Sequence, residues 1–267
     1  MLIFHYPFYE TLPLIKSNYE GAFPQIVVCG SLNSNIYDIM VVEHFKGYFG
    51  YECVGKAIRL HPGFRGYLYL NDDMIVNWWN FLKLDKDKVW LGATLDPQKG
   101  FEVNSRPIPR EWKNWRYPKV AECCEAAFRE IQSNKSIGSR AMAVHHRNTL
   151  NKTLCLKVWS DMFYVPGRLS DDFQTLSAIL FKNKVFLSIG VATSLTMLDL
   201  YENWEKPFGI YLPEKYNSRK LRDPLIGWQV YSDSITFIHP VKYKLIEGNR
   251  KRLKDVVIAQ SKNRTKC

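Results

Sequence analysis

Two adjacent carboxylates follow an apolar stretch of alternating character, "GYLYLNDD", at positions 66–73. The stretch predicts a buried strand, so Asp72 and Asp73 are expected at its carboxyl end. Parallel α/β sheets bind ligands beyond the carboxyl ends of their strands, and carboxylate oxygens are preferred ligands of Mg²⁺ and Mn²⁺. The pair therefore either holds a cation at the rim of a sheet or opens an ordinary turn, because Asn-Asp-Asp is also a turn composition.

A histidine and a lysine near the end of the chain are further candidates for this chemistry. His239 ends an apolar run, "SITFIH", that predicts a late strand, and its imidazole is either a metal ligand or a surface residue at a strand end. Lys242 follows three residues later and either meets a phosphate or is an ordinary exposed lysine. The neighbours His145 and His146 are not expected to share a metal, because adjacent residues of a regular element point apart.

A second acidic pair, Asp171 and Asp172, follows Ser170 at the start of a predicted helix. A carboxylate in such a place can act as a general base toward a hydroxyl group. The alternative is structural, since acids in a first helical turn after a serine cap stabilise the helix dipole in any protein.

The order of the predicted elements indicates an α/β fold. Short apolar runs predict strands at 1–6, 25–30 and 66–70, and the apolar spacing over 37–60 predicts a crossover helix that stops at "HPG". Strands that alternate with helices are typical of a parallel sheet with right-handed crossovers. We therefore predict a mostly parallel central sheet flanked by helices.

The remainder of the chain continues this pattern around one irregular connection. A strand is predicted at 88–92 and a helix at 121–132, separated by a Pro- and Trp-rich connection at 94–120. Further strands are predicted at 154–169 and 234–243. No internal boundary is evident, so the whole of 1–267 is expected to form a single domain.

Positive charge is concentrated at the end of the chain. The formal net charge is +11, and residues 240–267 carry nine Lys and Arg against Glu247 and Asp255, which is +7 of that total. The basic character therefore belongs to a C-terminal tail, 244–267, rather than to the fold, and nucleic acid is not an expected partner. The tail is either solvated or in contact with a membrane surface or another polyanion.

The cysteines and the glycosylation sequons are evidence on the cellular compartment of the protein. The six cysteines have no paired spacing typical of zinc sites, and Cys29 and Cys53 lie in apolar contexts that favour buried free thiols. Asn134, Asn151 and Asn263 begin N-x-S/T sequons, which modestly favour a secretory protein. No run is long enough to span a membrane, and the abrupt start on a strand is compatible with a clipped N-terminus that has lost an anchor.

Together, the crossover helix, the "GYLYLNDD" strand end, the later helical acid pair and the His-Pro strand resemble the GT-A glycosyltransferases, which use nucleotide-diphosphate sugars. The more particular resemblance is to exostosin-like and STELLO-like proteins. It implies that the family's D-x-D metal motif falls on Asn71, Asp72 and Asp73. Asp73 would then be the direct ligand of Mn²⁺ or Mg²⁺, with Asp72 and His239 as further ligands, whereas Asn71 replaces the usual first acid and contributes no charge.

The resemblance also implies roles for the second acidic pair and the aromatic residues. Asp172, with Asp171 before it, falls at the position of the catalytic base of inverting members; if it is not the base, a retaining mechanism is open. Trp112 and Trp115 lie among charged residues and either stack on an acceptor sugar or cover the surface. Trp78 and Trp79 are expected to pack in the core.

The function expected from this resemblance is metal-dependent transfer of a hexose or N-acetylhexosamine from a nucleotide-diphosphate sugar, expected to be a UDP-sugar. The acceptor would be a hydroxyl group of a glycan, protein or lipid. Residues 1–100 would form the nucleotide-sugar half and 101–243 the acceptor half, in the lumen of the Golgi or secretory pathway. The alternatives are an inactive GT-A-like binding module and a basic polyanion-binding protein.

Overall fold

The structure is a computed structural model that describes residues 1–43, 47–106, 119–212 and 226–264. The chain divides into two compact units. The first unit comprises Met1, Val42–Tyr69 and Lys86–Lys206, and the second comprises Leu2–Val41, Leu70–Asp85 and Pro207–Cys267. The single-domain organisation expected from the sequence stays a prediction.

Short strands form three sheets among the described residues. The strands are β1 (Leu2–Ile3), β2 (Val28–Gly30), β3 (Met40–Val41), β4 (Gly66–Asn71), β5 (Ile75–Val76), β6 (Trp90–Leu91), β7 (Gly100–Glu102), β8 (Leu154–Leu156), β9 (Met162–Pro166), β10 (Gly209–Tyr211) and β11 (Phe237–His239). The largest sheet has six strands in the order β3-β2-β1-β4-β9-β6, a second sheet has the order β10-β11-β5, and β7 pairs with β8.

Helices connect these strands in both units. The longest lie in the first unit, and the last two are joined by a π-helical stretch, Leu253–Ile258. The helices are α1 (Leu12–Ser17), α2 (Tyr51–Leu60), α3 (Val120–Ser133), α4 (Gly138–Asn148), α5 (Ser170–Lys182), α6 (Leu187–Leu198), α7 (Ile226–Gln229), α8 (Glu247–Arg252) and α9 (Ala259–Arg264). No described helix has the length and apolar character that a membrane span requires.

The α/β class is confirmed, but the prediction of a mostly parallel sheet is wrong. β1 pairs in parallel with β2 and β4, and β2 pairs in parallel with β3. β6 and β9 run antiparallel, with Trp90 opposite Tyr164 and their rings stacked at 4.0 Å. The sheet is therefore mixed, because a strand pattern in the sequence does not encode the direction of a partner that lies far away in the chain.

In the second unit, β1 occupies the centre of the parallel strands. Leu2 and Ile3 lie opposite Leu70 and Asn71 at the end of β4, and all four side chains are buried. Strands that are buried in this way read as continuous apolar runs rather than alternating ones. The carboxyl end of β4 is thereby fixed beside a buried neighbouring strand.

In the first unit, α5 covers the sheet through β9. Phe163 of β9 contacts Phe173 of α5 with ring centroids 6.0 Å apart, and it stacks on Tyr69 at 4.6 Å. A disulfide joins Cys124 of α3 to Cys155 of β8. Cys29 and Cys53 are buried, and Cys29 is a free thiol, as the sequence predicts.

Two element predictions are corrected. The crossover helix begins at Tyr51 rather than near residue 37, because Met40–Val41 pairs as a strand and Gly47 has a φ of 79°, which interrupts a helix. The stretch predicted as one strand at 154–169 forms two strands, β8 and β9. The apolar character of this stretch predicts extended structure correctly, whereas its division into two strands depends on long-range pairing.

The C-terminal basic segment is helical over most of its length. Leu253, Val257, Ile258 and Ser261 are buried in the second unit, while basic residues lie on the exposed side. Trp78 donates a hydrogen bond from Nε1 to Ser261 Oγ at 2.8 Å. This segment therefore contributes apolar and polar packing to the second unit as well as charge.

Candidate functional site

The acid pair lies where β4 ends, in the second unit. Asn71 is the last residue of β4 and is 1% exposed, and the backbone N–H of Asp72 donates to Ile3 O at 2.8 Å. Asp72 is half-buried and Asp73 is buried. The carboxylates are thus held at the carboxyl end of a buried strand by backbone pairing to β1.

A second strand brings a histidine to the same place. β11 pairs antiparallel with β5, which begins two residues after Asp73, and the Val241 N–H donates to the Asp73 carbonyl at 2.6 Å. Because of this pairing, Nε2 of His239 lies 3.1 Å from Oδ1 of Asp73. Two predicted site residues that are far apart in sequence are therefore in contact.

Lys242 contacts the other oxygen of the same carboxylate. Its ammonium forms an ion pair with Oδ2 of Asp73, and its side chain is 32% exposed. The sequence indicated a phosphate contact as one possibility for Lys242, and the contact with Asp73 was not predicted. Asp73 is therefore flanked by an imidazole and an ammonium group.

The two carboxylates are in opposite electrostatic situations. Burial favours a higher pKa for Asp73, but the charge of Lys242 and the contact with His239 outweigh it and hold the pKa of Asp73 well below its usual range. Burial, and then the charge of Asp73, raises the pKa of Asp72 to about 8. The ionised form of Asp73 is thus stabilised by its neighbours, whereas burial and the charge of Asp73 disfavour the ionised form of Asp72.

A cleft of about 720 Å³ opens over the acid pair. The rings of Tyr6 and Phe8 line it and stack on each other at 5.6 Å. The ammonium of Lys244 lies 5.6 Å from the centre of the Phe8 ring and forms an ion pair with Glu10. The cleft thus joins an acidic floor to aromatic and basic walls, a combination that suits an anionic ligand carrying a flat ring.

The candidate donors for a divalent cation are Asp73 and His239, which contact each other in this structure. Neighbouring ligands of an octahedral ion with bonds of about 2.1 Å lie about 3 Å apart, and Asp73 Oδ1 and His239 Nε2 are 3.1 Å apart. Within the described ranges, no three His, Cys, Asp or Glu side chains converge on one point. A site with one or two protein carboxylates that is completed by water and substrate phosphates is typical of Mg²⁺, and imidazole is also acceptable to Mn²⁺.

The second acidic pair belongs to the first unit, at the start of α5. Asp172 forms a bidentate ion pair with Arg140 of α4, with nitrogen–oxygen distances of 2.6 and 3.1 Å. Asp171 is exposed. Ser170 is the first residue of the helix rather than its cap, since its hydroxyl donates to Gly167 O at 2.8 Å. The pairing with Arg140 gives Asp172 a structural role whatever its chemical role.

The aromatic candidates separate into two groups. Trp78 and Trp79 are buried, as predicted for core residues. Trp112 and Trp115 lie outside the described residues, so their expected contact with an acceptor stays a prediction.

Sequence reasoning missed the aromatic wall of the cleft. Tyr6 and Phe8 follow the first strand within "FHYPFYE", where aromatic residues flank a proline at the carboxyl end of β1. β1 and β4 are parallel neighbours, so their carboxyl ends lie at the same edge of the sheet. Aromatic residues directly after β1 could therefore have been predicted to lie near the acid pair after β4. The role of Lys244 carried no signal, because its partner Glu10 is 234 residues away.

Comparison with known proteins gives one group of relatives. The chain is similar to two proteins of Arabidopsis thaliana, the probable glycosyltransferases STELLO1 and STELLO2. Each is 24% identical to it over 223 residues, which is 83% of this chain but only 26% of STELLO1 and 27% of STELLO2. The chain therefore spans about a quarter of the length of these relatives. The predicted STELLO-like resemblance is confirmed.

No family model and no solved structure matches the chain. The GT-A topology expected from the sequence is not tested by these comparisons. The mixed α/β sheet is consistent with a glycosyltransferase-like fold.

Proposed function

We propose that this chain is a glycosyltransferase domain of GT-A type that binds a nucleotide-diphosphate sugar, expected to be a UDP-sugar, in the cleft over Asp72 and Asp73. The observation that carries the proposal is the contact of Asp73 with His239 at the carboxyl end of β4, beneath a cleft with aromatic and basic walls. The similarity to two probable glycosyltransferases supports the same class of reaction. The sugar moved would be a hexose or N-acetylhexosamine.

Within this proposal, Asp73 and His239 would hold Mn²⁺ or Mg²⁺, with Asp72 as a further ligand. The cation would supply positive charge to neutralise the diphosphate, both in the complex and as it leaves the sugar. The stacked rings of Tyr6, which is exposed, and Phe8, which is half-buried, offer a surface for the nucleobase. The ammonium of Lys242 lines the same cleft, where it would be near the phosphates. Asn71 contributes a neutral amide at the position where the D-x-D motif of the GT-A resemblance has its first acid, so the site carries one negative charge fewer.

The acceptor is proposed to be a hydroxyl group of a glycan, protein or lipid. In an inverting reaction its oxygen forms a bond to the anomeric carbon while the bond from that carbon to the diphosphate oxygen breaks. The hydroxyl proton passes to a carboxylate base, a role that only the resemblance assigns to Asp172, with Asp171 its neighbour. The diphosphate leaves with the electron pair of the broken bond.

The proposed compartment is the lumen of the Golgi or secretory pathway. The Cys124–Cys155 disulfide supports an oxidising environment. The sequon residue Asn151 is exposed, which is compatible with glycosylation.

A second candidate function is an inactive binding module of the same fold. The observation that favours it is Asn71, whose neutral amide occupies the position of an acid and weakens the charge available for a metal. Such a module would bind a glycan or a protein partner without transferring sugar.

Titration of UDP into the full chain by calorimetry, with Mn²⁺ and then with EDTA, tests the proposal. We expect binding with Mn²⁺ that EDTA abolishes, and we expect Asp73→Asn to weaken binding about 100-fold, because it removes the charge of a buried ligand. Asp38→Asn, an exposed acid of the second unit, is the matched control and should bind as the wild type does.

Two results would contradict the proposal. Absence of UDP binding in both conditions would favour the inactive module. Unfolding of Asp73→Asn, seen as loss of its thermal transition, would assign Asp73 a purely structural role in the turn after β4.

A further inference from the structure

The Asp73 carboxylate already has a cation at one oxygen. Lys242 pairs with Oδ2 while His239 contacts Oδ1, so both oxygens of a buried carboxylate are engaged by this chain's own side chains. The Lys242 ammonium also lines the cleft, together with Tyr6 and Phe8. It is therefore placed between the acid pair and the volume that a ligand would fill.

A divalent cation and this ammonium would share one carboxylate, with the cation at Oδ1 beside His239 and the ammonium at Oδ2. Two positive charges in contact with one carboxylate repel each other strongly in a poorly hydrated site. The long, flexible stem of lysine allows the ammonium to turn toward the cleft, where its side chain is already partly exposed. In that second position it would face an anionic ligand instead of Asp73.

We propose that Lys242 is an internal counter-cation: it neutralises Asp73 in the ligand-free protein, is displaced when a divalent cation binds, and then contacts the diphosphate of the nucleotide. This inference rests on the proposed function for its second step, since that step needs a diphosphate ligand. Because each ligand favours the displaced position of Lys242, the cation and the nucleotide should increase each other's affinity by the same factor.

The test uses Mn²⁺ alone, without nucleotide, on the full chain. In calorimetric titrations we expect Lys242→Met to bind Mn²⁺ about tenfold more tightly than the wild type, because its competitor has been removed. The same variant should bind UDP about tenfold more weakly at saturating Mn²⁺, because a phosphate contact has been lost. Opposite changes for the two ligands are not expected from a lysine that only supports the fold.

Two matched variants complete the experiment. Lys244→Met removes a neighbouring ammonium of the same cleft that pairs with Glu10 rather than Asp73, and its affinity for Mn²⁺ alone should stay within about twofold of the wild type. Lys242→Arg keeps the positive charge and should not gain affinity for Mn²⁺. If Lys242→Met is destabilised without metal, its midpoint of thermal unfolding should rise more on addition of Mn²⁺ than that of the wild type.

An equal or weaker affinity of Lys242→Met for Mn²⁺ would overturn the inference, as would absence of Mn²⁺ binding to every variant. Failure of the proposed function is a different result, namely no UDP binding by the wild type at saturating Mn²⁺. In that case a gain in Mn²⁺ affinity for Lys242→Met would still establish the counter-cation role, and the diphosphate step would be rejected.

Discussion

Single residues of this protein take their charge from what surrounds them, and the adjacent carboxylates illustrate this. Asp73 faces Lys242 and His239, whereas Asp72 faces the charge of Asp73 and a long contact from the His5 N–H at 3.4 Å. The pKa of Asp73 is therefore held well below its usual range, whereas the pKa of Asp72 is raised to about 8. The residue type alone would have given both the same pKa.

A buried histidine of the first unit has an equally defined state. His145 is fully buried, its Nδ1 donates to Thr196 Oγ1 at 3.0 Å, and its Nε2 accepts from the Leu154 N–H at 3.2 Å. Burial and then the neighbouring His146 lower the pKa of His145 to about 3. The imidazole is therefore a neutral structural link between α4, α6 and β8.

This state predicts a pH dependence of stability. The folded pKa of His145 is depressed, so its contribution is complete above the unfolded value of about 6.5 and is lost as the pH falls toward 3. Between these two pH values, His145 should lower the unfolding free energy of the wild type by up to about 1.4 kcal/mol for each pH unit of acidification. Urea unfolding at pH 8, 6 and 5 measures the slope.

His145→Gln is the informative variant, because its side-chain oxygen can still accept from the Leu154 N–H but does not titrate. It should be less stable than the wild type at pH 8 and lose less stability on acidification. His146→Gln, which changes the half-buried neighbour, should keep the wild-type slope. Parallel curves for the wild type and His145→Gln would contradict the assignment.

At the scale of elements, the proposed donor site depends on a pairing that joins distant segments. β5 follows the acid pair directly, and its antiparallel partner β11 delivers His239. Both strands are short, and neither would place the imidazole by itself. The geometry of the site is thus a property of the β5–β11 pair rather than of either segment.

The start of α5 gives a prediction that separates chemistry from structure. Asp172→Asn removes the proposed base and also the ion pair between α4 and α5. We expect its turnover to fall about 100-fold or more while its donor affinity is unchanged. Steady-state rates of sugar transfer, measured together with donor titrations, test this.

Arg140→Gln is the matched control for that prediction. It breaks the same ion pair but keeps the carboxylate, and an exposed pair of this kind contributes about 0.2–1 kcal/mol. Both variants should therefore lose similar, small amounts of stability, and only Asp172→Asn should lose its rate. Equal rates for the two variants would move the base assignment to another residue and reopen a retaining mechanism.

Elements set by local sequence were predictable, and those set by distant pairing were not. The strand over 66–70, the helix at α3 and the position of the acid pair after β4 follow from patterns within a few residues. The direction of β6 against β9 and the Cys124–Cys155 disulfide depend on partners far along the chain. A single sequence carries no signal for such partners, because many pairings satisfy the same apolar pattern.

At the scale of the whole molecule, most of the net charge lies on a segment that also packs. Residues 240–267 carry +7 of the +11, yet Leu253, Val257 and Ile258 within them are buried. Deletion of 244–267 would therefore expose apolar surface of the second unit and confuse loss of charge with loss of structure. Substitution of the exposed basic residues of these helices is therefore the appropriate test of the charge.

We expect this basic face to bind anionic membranes weakly. Lys251, Arg252 and Lys254 are exposed, and each basic residue near an anionic surface contributes about 1 kcal/mol. The triple change of these residues to Gln should abolish sedimentation with phosphatidylserine-rich vesicles at low salt and leave the thermal midpoint and UDP affinity unchanged. Binding of the wild type should disappear as salt rises, since the attraction is screened over about 10 Å at 0.1 M. Equal sedimentation of the wild type and the triple variant would show that the charge of this segment only keeps the helices solvated.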